Sequence, residues 1–157
     1  MTAENNSLVP SFVVLQVGTR RIALPREDVA ELIASPILFA FPHTTPLIAG
    51  VVLRRGRILP VLDLGPGVSG APSPSTRFFL VVERRIADAL EKCAIPVQGA
   101  CELVSGVMIP GVEHDGFVIG HLNLNAEQID VLDLEKAIAI SAAANQGEWS
   151  PATEALF

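Results

Sequence analysis

The chain has 157 residues, of which 50% are hydrophobic and 18% are charged, and its formal net charge at pH 7 is −6. This composition predicts a packed core and excludes a disordered chain. No apolar run reaches the roughly 20 residues that a membrane-spanning helix requires, and residues 1–11 lack the basic and apolar regions of a signal peptide. We therefore expect a cytoplasmic protein that does not insert directly into a membrane.

The charge is distributed unevenly along the chain. Residues 1–85 contain nine arginines and six acidic residues, a net charge of +3, whereas residues 86–157 contain two lysines and eleven acidic residues, a net charge of −9. Such an asymmetry concerns the choice of partners rather than the fold. Because tyrosine is absent and aromatic residues make up only 5% of the chain, we expect no base-stacking surface for nucleic acid.

In chain order, the first predicted elements are two short strands and a helix. Residues 11–17 and 21–25 are rich in β-branched and apolar residues and flank a Gly-Thr-Arg turn signal. Residues 26–34 place apolar side chains at the spacing of one helix face and acidic side chains in the first turn. This pattern predicts a helix that Pro36 ends.

A hairpin with a cationic tip is predicted next. Residues 47–53 and 58–64 have the composition of strands and flank Arg-Arg-Gly-Arg (54–57), in which the glycine marks a turn. Pro60 cannot donate a backbone hydrogen bond, so we expect an edge strand or a bulge there. Glycine, proline and serine dominate residues 65–76, which predicts a linker or a long loop. The later predicted elements are a strand at 77–84, a segment at 85–92 that is ambiguous between a helical turn and a loop, strands at 93–97 and 117–124, and a helix at 133–144.

The two halves of the chain repeat one another. The tetrapeptide Val-Leu-Asp-Leu occurs at residues 61–64 and again at residues 131–134, seventy positions later. Residues 23–32 align with residues 94–103 at an offset of 71, with matching Ala, Pro and Glu residues. Two offsets that agree closely and in the same order predict two copies of one β-rich unit. We expect small barrels, since closure removes exposed strand edges.

The repeated aspartates, Asp63 and Asp133, raise the question of a catalytic acid pair. Such a pair needs two carboxylates that share a proton in a polar, hydrogen-bonded site. A leucine follows each aspartate, where aspartic proteases have a small hydroxyl residue and a glycine. The structural interpretation is favoured: each aspartate ends a strand and caps the turn or helix after it, and Asp133 is placed to cap the last helix.

Other residues that carry chemistry show no pattern typical of a site. The histidines His43, His114 and His121 share no metal-ligand spacing, and Cys93 and Cys101 match no zinc motif. We therefore expect no catalytic residues, no metal and no cofactor.

The densest charge cluster is the predicted hairpin tip, with Arg54, Arg55 and Arg57. Arginine forms forked hydrogen bonds to carboxylates and is enriched at protein interfaces. Glu31, on the neighbouring predicted helical turn, is the acidic partner that we expect. We interpret the tip as a protein-recognition surface; binding of nucleic acid is disfavoured by the net acidity and the lack of interleaved aromatic residues.

The longest motif in the chain is GVVLRRGRILPVLDL at residues 50–64, which FVVL at 12–15 and IALPREDVAEL at 22–32 precede. This order of motifs resembles the CheW family of chemotaxis coupling proteins, whose pattern is Gly-Val-x-Asn-x-Arg-Gly-x-x-x-Pro-Val-x-Asp-Leu. The chain has Leu53 where that pattern has asparagine. The resemblance extends over roughly residues 11–140, and it is looser in the second half.

The resemblance implies an all-β fold of two five-stranded SH3-like barrels, packed as intertwined, pseudo-symmetric subdomains. The subdomains are expected at about residues 20–70 and 77–132 of a single domain at 11–140, with a short helical turn after the first hairpin and a C-terminal helix. Residues 1–10 and 145–157 are expected to be flexible termini. The resemblance also implies that the chain is not an enzyme and needs no cofactor.

Proteins of this kind couple the cytoplasmic tip of a chemoreceptor-type sensory protein to the regulatory domain of a CheA-type histidine kinase. The resemblance and the charge pattern together lead us to expect that Glu31 and Arg55 form a pair. The alternatives are a CheW-like scaffold for a non-flagellar pathway of pili or gliding, a small-barrel nucleic-acid binder, and an aspartate-based hydrolase. The residues implied for the receptor-facing groove are Val29, Glu31, Leu32, Gly50, Arg55 and Arg57, with structural roles for Asp63 and Asp133.

Overall fold

The computed structural model describes residues 9–34, 36–39, 47–86, 88–111 and 116–146. Strands dominate this part of the chain, alongside one 3-10 turn, Arg26–Asp28, and two helices, α1 (Gly65–Val68) and α2 (Leu134–Gln146). The strands are β1 (Ser11–Val17), β2 (Arg20–Pro25), β3 (Val29–Ala34), β4 (Leu38–Phe39), β5 (Ile48–Arg54), β6 (Arg57–Leu62), β7 (Phe78–Ile86), β8 (Ala89–Val97), β9 (Glu102–Ser105), β10 (Ile109–Pro110), β11 (Val118–Leu124) and β12 (Glu127–Leu132).

The strands form two six-stranded sheets, and the two halves of the sequence exchange a hairpin between them. The first sheet has the strand order β3-β7-β8-β6-β5-β4, and the second sheet has the order β10-β11-β12-β2-β1-β9. Each sheet therefore contains four strands from one half and a hairpin, β1–β2 or β7–β8, from the other. The all-β class with two intertwined subdomains is confirmed, and the two-residue strands β4 and β10 add a sixth strand to each sheet.

A short parallel pairing joins each exchanged hairpin to its host sheet. Val61 of β6 pairs with Ala94 of β8, and Val131 of β12 pairs with Ala23 of β2. Val61 and Val131 begin the two Val-Leu-Asp-Leu motifs, and Ala23 and Ala94 are the alanines matched at an offset of 71. The repeat in the sequence therefore corresponds to equivalent positions at which the two halves are joined.

Equivalent residues fill the interiors of the two sheets. Val52, Leu59 and Val61 of the first interior lie seventy positions before Leu122, Ile129 and Val131 of the second. Each interior also contains side chains of the exchanged hairpin, so neither half of the sequence fills its own interior alone. The first interior consists of Ile33, Val52, Leu59, Val61, Phe79, Val81 and Ala94, and the second of Phe12, Val14, Ala23, Leu122, Ile129 and Val131.

A third and larger cluster, the central cluster, lies between the two sheets. It combines side chains of both exchanged hairpins with residues of both helices, including Leu24, Leu80 and Ile95. Consecutive residues of β7 such as Leu80 and Val81 are both buried, because one faces the central cluster and the next faces the first interior. This burial on both faces explains why β1 and β7 are continuous apolar runs rather than alternating ones.

The prediction of a helix at residues 26–34 is wrong beyond the first turn. Only Arg26–Asp28 is helical, and the following residues form β3, which pairs antiparallel with β7. Val29 and Ile33, which contribute to the apparent helical spacing, are β-branched and favour extended backbone. Pairing of β3 with the buried strand β7 therefore decides the conformation of residues 29–34. The short helical turn that the family resemblance implies is present as the 3-10 turn Arg26–Asp28.

Pro60 lies in an interior strand, not in the predicted edge or bulged strand. Its strand, β6, pairs with β5 along its length, but its pairing with β8 is confined to Val61. The proline is tolerated because little of the ladder toward β8 is formed beside it. The bulge of this hairpin lies in β5 instead, between Ile48 and Gly50.

Two segments predicted as irregular contain regular structure. The start of the predicted linker forms α1, with a proline in its first turn, where its missing N–H is not needed. The ambiguous segment 85–92 belongs to the second exchanged hairpin, since β7 extends to Ile86 and β8 begins at Ala89. The predicted C-terminal helix is confirmed as α2.

Several expectations concern residues outside the described ranges. These are His43, His114 and most of the termini predicted to be flexible. Within the described ranges, no helix combines the length and apolar character needed to cross a membrane. No group of three or more His, Cys, Asp or Glu side chains in those ranges could hold a metal ion.

Removal of a buried hydroxyl group in α2 tests whether that group lacks a hydrogen-bond partner. Ser141 is fully buried, and its Oγ has no hydrogen-bond partner in the described part of the chain. We expect Ser141→Ala to raise the free energy of unfolding by about 1 kcal/mol, because the substitution removes an unsatisfied buried group. Urea denaturation measures this change.

The matched control is Ser69→Ala. The Ser69 hydroxyl donates a hydrogen bond to the carbonyl oxygen of Gly65 at 3.0 Å, so its removal should lower the free energy of unfolding. A Ser141→Ala variant that is also destabilised would show that the hydroxyl of Ser141 is satisfied.

Candidate functional site

The predicted recognition surface lies where β3 approaches the β5–β6 hairpin. Arg54 Nη2 donates a hydrogen bond to Glu31 Oε1 at 2.5 Å, and Arg54 Nε donates to the same oxygen at 3.2 Å. Three strands separate β3 from β5 in the order of the first sheet. The bond between Glu31 and Arg54 therefore requires a strongly curved sheet, in which β3 lies close to β5. We call Glu31, Arg54, Arg55 and Arg57 the basic mouth of this barrel-like sheet.

The Glu31–Arg54 pair alters the ionisation of both partners. The hydrogen bond from Arg54 lowers the pKa of the Glu31 carboxyl, and the charges of Arg55 and Lys92 act in the same direction. The same hydrogen bond raises the pKa of Arg54. Because the side chains are 28% and 38% exposed, solvent screens the pair, and its main effect is to orient Arg54.

The expected pairing of Glu31 with Arg55 is wrong, since the bonded partner is Arg54. Side chains alternate between the faces of a strand, and Arg54 lies two residues after the buried Val52, on the same inward face. Arg55 follows in the turn, where its φ is 52°. The two-residue period of β5 was the signal in the sequence that could have identified Arg54.

The tip of the β5–β6 hairpin carries more positive charge than one carboxylate neutralises. Arg54 and Arg57 are directly opposite each other in the strand register, so their side chains lie on the same face. Neither Arg55 nor Arg57 makes a hydrogen bond or an ion pair with another described residue. Two guanidinium groups are therefore free to bind carboxylates in forked geometry.

Val29 and Leu32 lie on the opposite face of β3 from Glu31. They pair with Val82 and Leu80 of β7, whose side chains belong to the central cluster. Val29 packs against that cluster, and Leu32 is 37% exposed. The three groove residues predicted on β3 therefore lie on two faces of the strand, with Glu31 on one face and Val29 and Leu32 on the other.

Gly50 allows the edge strand β4 to approach the bulged strand β5. A Cβ added at Gly50 would lie 2.6 Å from the carbonyl oxygen of Phe39, and the φ of this glycine is 155°. Its equivalent, Gly120, would place a Cβ 2.6 Å from the carbonyl oxygen of Ile109 in β10. The same steric requirement is thus met by glycine in both sheets.

The Asp63 side chain accepts hydrogen bonds from two backbone positions of the predicted linker at residues 65–76. Its side chain is buried, Oδ1 accepts the N–H of Gly65 at 2.8 Å, and Oδ2 accepts the N–H of Ser73 at 3.0 Å. The Asp63 backbone N–H donates to the carbonyl oxygen of Leu47 at 2.7 Å. Both carboxylate oxygens are therefore occupied by backbone donors.

Asp133 caps α2. Its Oδ1 accepts the N–H of Lys136 at 3.0 Å, and its own N–H donates to the carbonyl oxygen of Phe117 at 2.8 Å. The bond to Phe117 matches the one between Asp63 and Leu47, with both partners shifted by seventy positions. The two aspartates occupy equivalent strand ends; the Asp63 carboxylate accepts two backbone N–H groups, and the Asp133 carboxylate accepts one.

An acidic cleft of about 510 Å³ lies beside the β7–β8 hairpin. Burial and the nearby charges of Glu27, Asp133 and Glu135 raise the pKa of Asp28 from 3.8 to about 6. The acidic residues that line the cleft come from the 3-10 turn, β7 and the start of α2. Because they are distant in sequence, only the folded chain brings them together. They are Glu27, Asp28, Glu83, Asp133 and Glu135.

Removal of the Arg54 guanidinium tests the pairing at the basic mouth. We expect Arg54→Gln to raise the pKa of Glu31, because the hydrogen bond that stabilises the carboxylate is lost. NMR titration of the side-chain carboxyl groups measures this pKa. The control Arg57→Gln removes a guanidinium that is not bonded to Glu31 and should change the pKa little. An equal rise in both variants would contradict the pairing.

The raised pKa of Asp28 predicts a pH dependence of stability. Because the folded state holds this proton more tightly than the unfolded state, the contribution of Asp28 falls as the pH rises from about 4 to about 6. We expect Asp28→Asn to raise the free energy of unfolding by about 1 kcal/mol at neutral pH and to have little effect below pH 4. Urea denaturation of both proteins across this range measures the difference; a gain that is independent of pH would contradict the assignment.

Comparisons with known proteins agree with this architecture. The profile of the CheW-like domain matches residues 11–108. Protein FrzA of Myxococcus xanthus is 38% identical over 74 residues, which are 45% of this chain and 46% of that protein; the match thus spans about half the length of this curated relative.

The fold is also similar to that of a solved structure. The crystal structure of the scaffolding protein TtCheW from Thermoanaerobacter tengcongensis aligns with a TM-score of 0.64 and 21% identity, and the alignment covers 81% of this chain and 86% of that one. This likeness concerns the fold, whereas the profile match includes both exchanged hairpins and the cationic hairpin. The chain belongs to the CheW-like domain family.

Proposed function

We propose that this chain is a non-enzymatic adaptor that couples a chemoreceptor-type sensory protein to a CheA-type histidine kinase in the cytoplasm. The observation that carries the proposal is the CheW-like domain match over residues 11–108. Its fold is also that of TtCheW, which is described as a scaffolding protein. An adaptor needs separate surfaces for its partners, and two related sheets in one domain offer such surfaces.

The receptor-facing surface in this proposal is the basic mouth together with the opposite face of β3, on which Val29 and Leu32 lie. Arg55 and Arg57 offer guanidinium groups without a partner in the described structure, and Arg54 is oriented by Glu31. Leu32 adds a partly exposed apolar side chain. This combination suits a receptor tip that presents carboxylates beside apolar residues.

The proposal gives Asp63 and Asp133 structural roles and requires no cofactor. Both oxygens of Asp63 accept backbone N–H groups, and Asp133 caps α2. An acid pair would need these carboxylates to share a proton and to act on a substrate. Their bonds instead support the turn and the helix that come after the two equivalent strands.

Such an adaptor acts by shifting a binding equilibrium rather than by catalysing a reaction. The adaptor binds the receptor tip on one surface and the regulatory domain of the kinase on another, and the state of the receptor shifts which arrangement of the assembly is favoured. Individual contacts can be weak when many copies are held in one array, because the effective concentration of each partner is high.

Charge reversal at the turn tests the receptor-facing surface. We expect Arg55→Glu to weaken binding of a receptor-tip fragment about tenfold while binding of the kinase regulatory domain is unchanged, because one favourable charge contact becomes repulsive. Isothermal titration calorimetry with each partner measures both affinities.

The matched control is Asn125→Glu in the equivalent turn of the second sheet. Arg55 and Asn125 have nearly the same backbone conformation, with φ of 52° and 48°, so both substitutions place glutamate in a left-handed turn position. We expect the control to leave receptor binding unchanged. An unchanged affinity of Arg55→Glu for the receptor fragment would remove this turn from the proposed surface.

A further inference from the structure

The acidic cleft lies at a connection between the two sheets. The 3-10 turn Arg26–Asp28 joins β2 of the second sheet to β3 of the first sheet, and we call it the crossing turn. The crossing turn lines the cleft together with the β7–β8 hairpin and the start of α2. A change of charge in the cleft therefore acts on the contact between the crossing turn and α2.

Acidic side chains surround Asp28 in this cleft. Asp28 is half-buried, and the charges of three nearby carboxylates act on it. A fourth acidic side chain, that of Glu83, lies 3.9 Å from Lys92, which is a long ion pair. The acids are Glu27 of the crossing turn, Glu83 of β7, and Asp133 and Glu135 at the start of α2, whereas the lining residues of β8, β11 and β12 are the apolar Leu90, Ile119 and Leu132.

Little positive charge offsets these acids. Arg84 is the only cation among the described residues that line the cleft, and its Nε and Nη2 donate hydrogen bonds to Glu91 at 3.2 and 2.9 Å. Arg26 and Lys136, the cations of the crossing turn and of the start of α2, are exposed and do not line the cleft. A negative charge on Asp28 is therefore opposed both by its neighbours and by partial burial.

The other half of the chain shows that the fold does not require this concentration of acids. At the offset of 71, the positions that correspond to Glu27 and Asp28 are uncharged, and they likewise lie between strands of different sheets. At the offset of 70, Asp133 corresponds to Asp63, but Glu135 corresponds to an uncharged residue. The same connection is therefore made with fewer charges, so the acids of the cleft require a different explanation. The uncharged equivalents are Gln98, Gly99 and Gly65.

We propose that the acidic cleft is a proton-operated switch that controls the contact between the crossing turn and the first turn of α2. Protonation of Asp28 removes one of the charges that repel each other and tightens the contact. Loss of the proton restores the repulsion and favours an open state, in which the first turn of α2 separates from the crossing turn. This inference goes beyond the proposed adaptor function, because the switch requires neither a receptor nor a kinase.

The direction of the switch follows from the environment of Asp28. Burial and the charges of Glu27, Asp133 and Glu135 raise the pKa of Asp28 from 3.8 to about 6. Separation of α2 from the crossing turn exposes Asp28 and removes two of these charges, so the open state holds the proton less tightly than the closed state. The preference for the closed state is complete below about pH 4, and it falls as the pH rises to about 6.

Native-state hydrogen exchange, followed by NMR on the full chain from pH 4 to pH 7, measures the switch. The amide of Ala137, which donates to the carbonyl oxygen of Asp133 at 2.9 Å, reports opening of the first turn of α2. After correction for the intrinsic pH dependence of exchange, we expect its opening constant to rise more than about tenfold over this range, since one unit of pKa difference corresponds to tenfold. The amide of the fully buried Ile95 reports global unfolding, and it should be more strongly protected than Ala137 at every pH.

Three variants separate Asp28 from other titrating groups. Asp28→Asn removes the titrating carboxyl and keeps its shape, so the opening constant of Ala137 should no longer rise with pH. The matched control Asp88→Asn changes an exposed aspartate of the β7–β8 hairpin that does not line the cleft. Its φ is 53°, a conformation that asparagine tolerates, and the rise should be unchanged. Glu27→Gln with Glu135→Gln keeps Asp28 but removes two of its neighbouring charges, and the rise should be smaller.

Three outcomes overturn the switch. They are an opening constant of Ala137 that does not rise between pH 4 and pH 7, a rise that persists in Asp28→Asn, and equal opening constants for Ala137 and Ile95, which would assign the effect to global unfolding. None of these results concerns binding of a receptor fragment or a kinase domain, so a failure of the switch is distinguishable from a failure of the adaptor function.

Discussion

The exchange of hairpins between the two sheets is the constraint on which the rest of the structure depends. Phe79, Val81 and Ala94 complete the interior that β3, β5 and β6 begin, and equivalent residues of β1 and β2 complete the other interior. The backs of the same hairpins form the central cluster. Because each hairpin is buried on both faces, neither half of the chain has a complete core without the other.

This scaffold is nearly symmetric inside and asymmetric outside. The interiors use apolar residues at matching positions, and the turns after β5 and β11 both place two consecutive residues at positive φ. The same turns differ in chemistry, with Arg55 in one and Asn125 in the other. Since packing demands the same of both halves, the differences between them lie at the surface. The basic mouth is one such difference.

Sequence patterns predicted the parts of the structure that depend on short stretches of chain. The cationic hairpin, the C-terminal helix and the cap at Asp133 follow from local rules for turns and helix ends, and the repeat indicated two related units. The helical prediction for residues 26–34 failed beyond the first turn, because pairing of β3 with a strand nearly fifty residues away overrides local spacing.

The partners of individual side chains were harder to predict. Glu31 bonds to Arg54 and not to Arg55, because the face of β5 and the curl of the first sheet decide which arginine points inward. The acidic cleft around Asp28 assembles from separate segments. The hairpin exchange itself could not be derived from periodicity, since a strand pattern does not specify which sheet receives the strand; only the family resemblance implied it.

The proposed adaptor function requires one chain to hold a receptor and a kinase at the same time. Analytical ultracentrifugation of the chain with a receptor-tip fragment and a kinase regulatory domain tests it most directly. We expect one complex that contains all three proteins and that is lost when the chain is omitted. Competition between the two partners, with only binary complexes at every ratio, would contradict it.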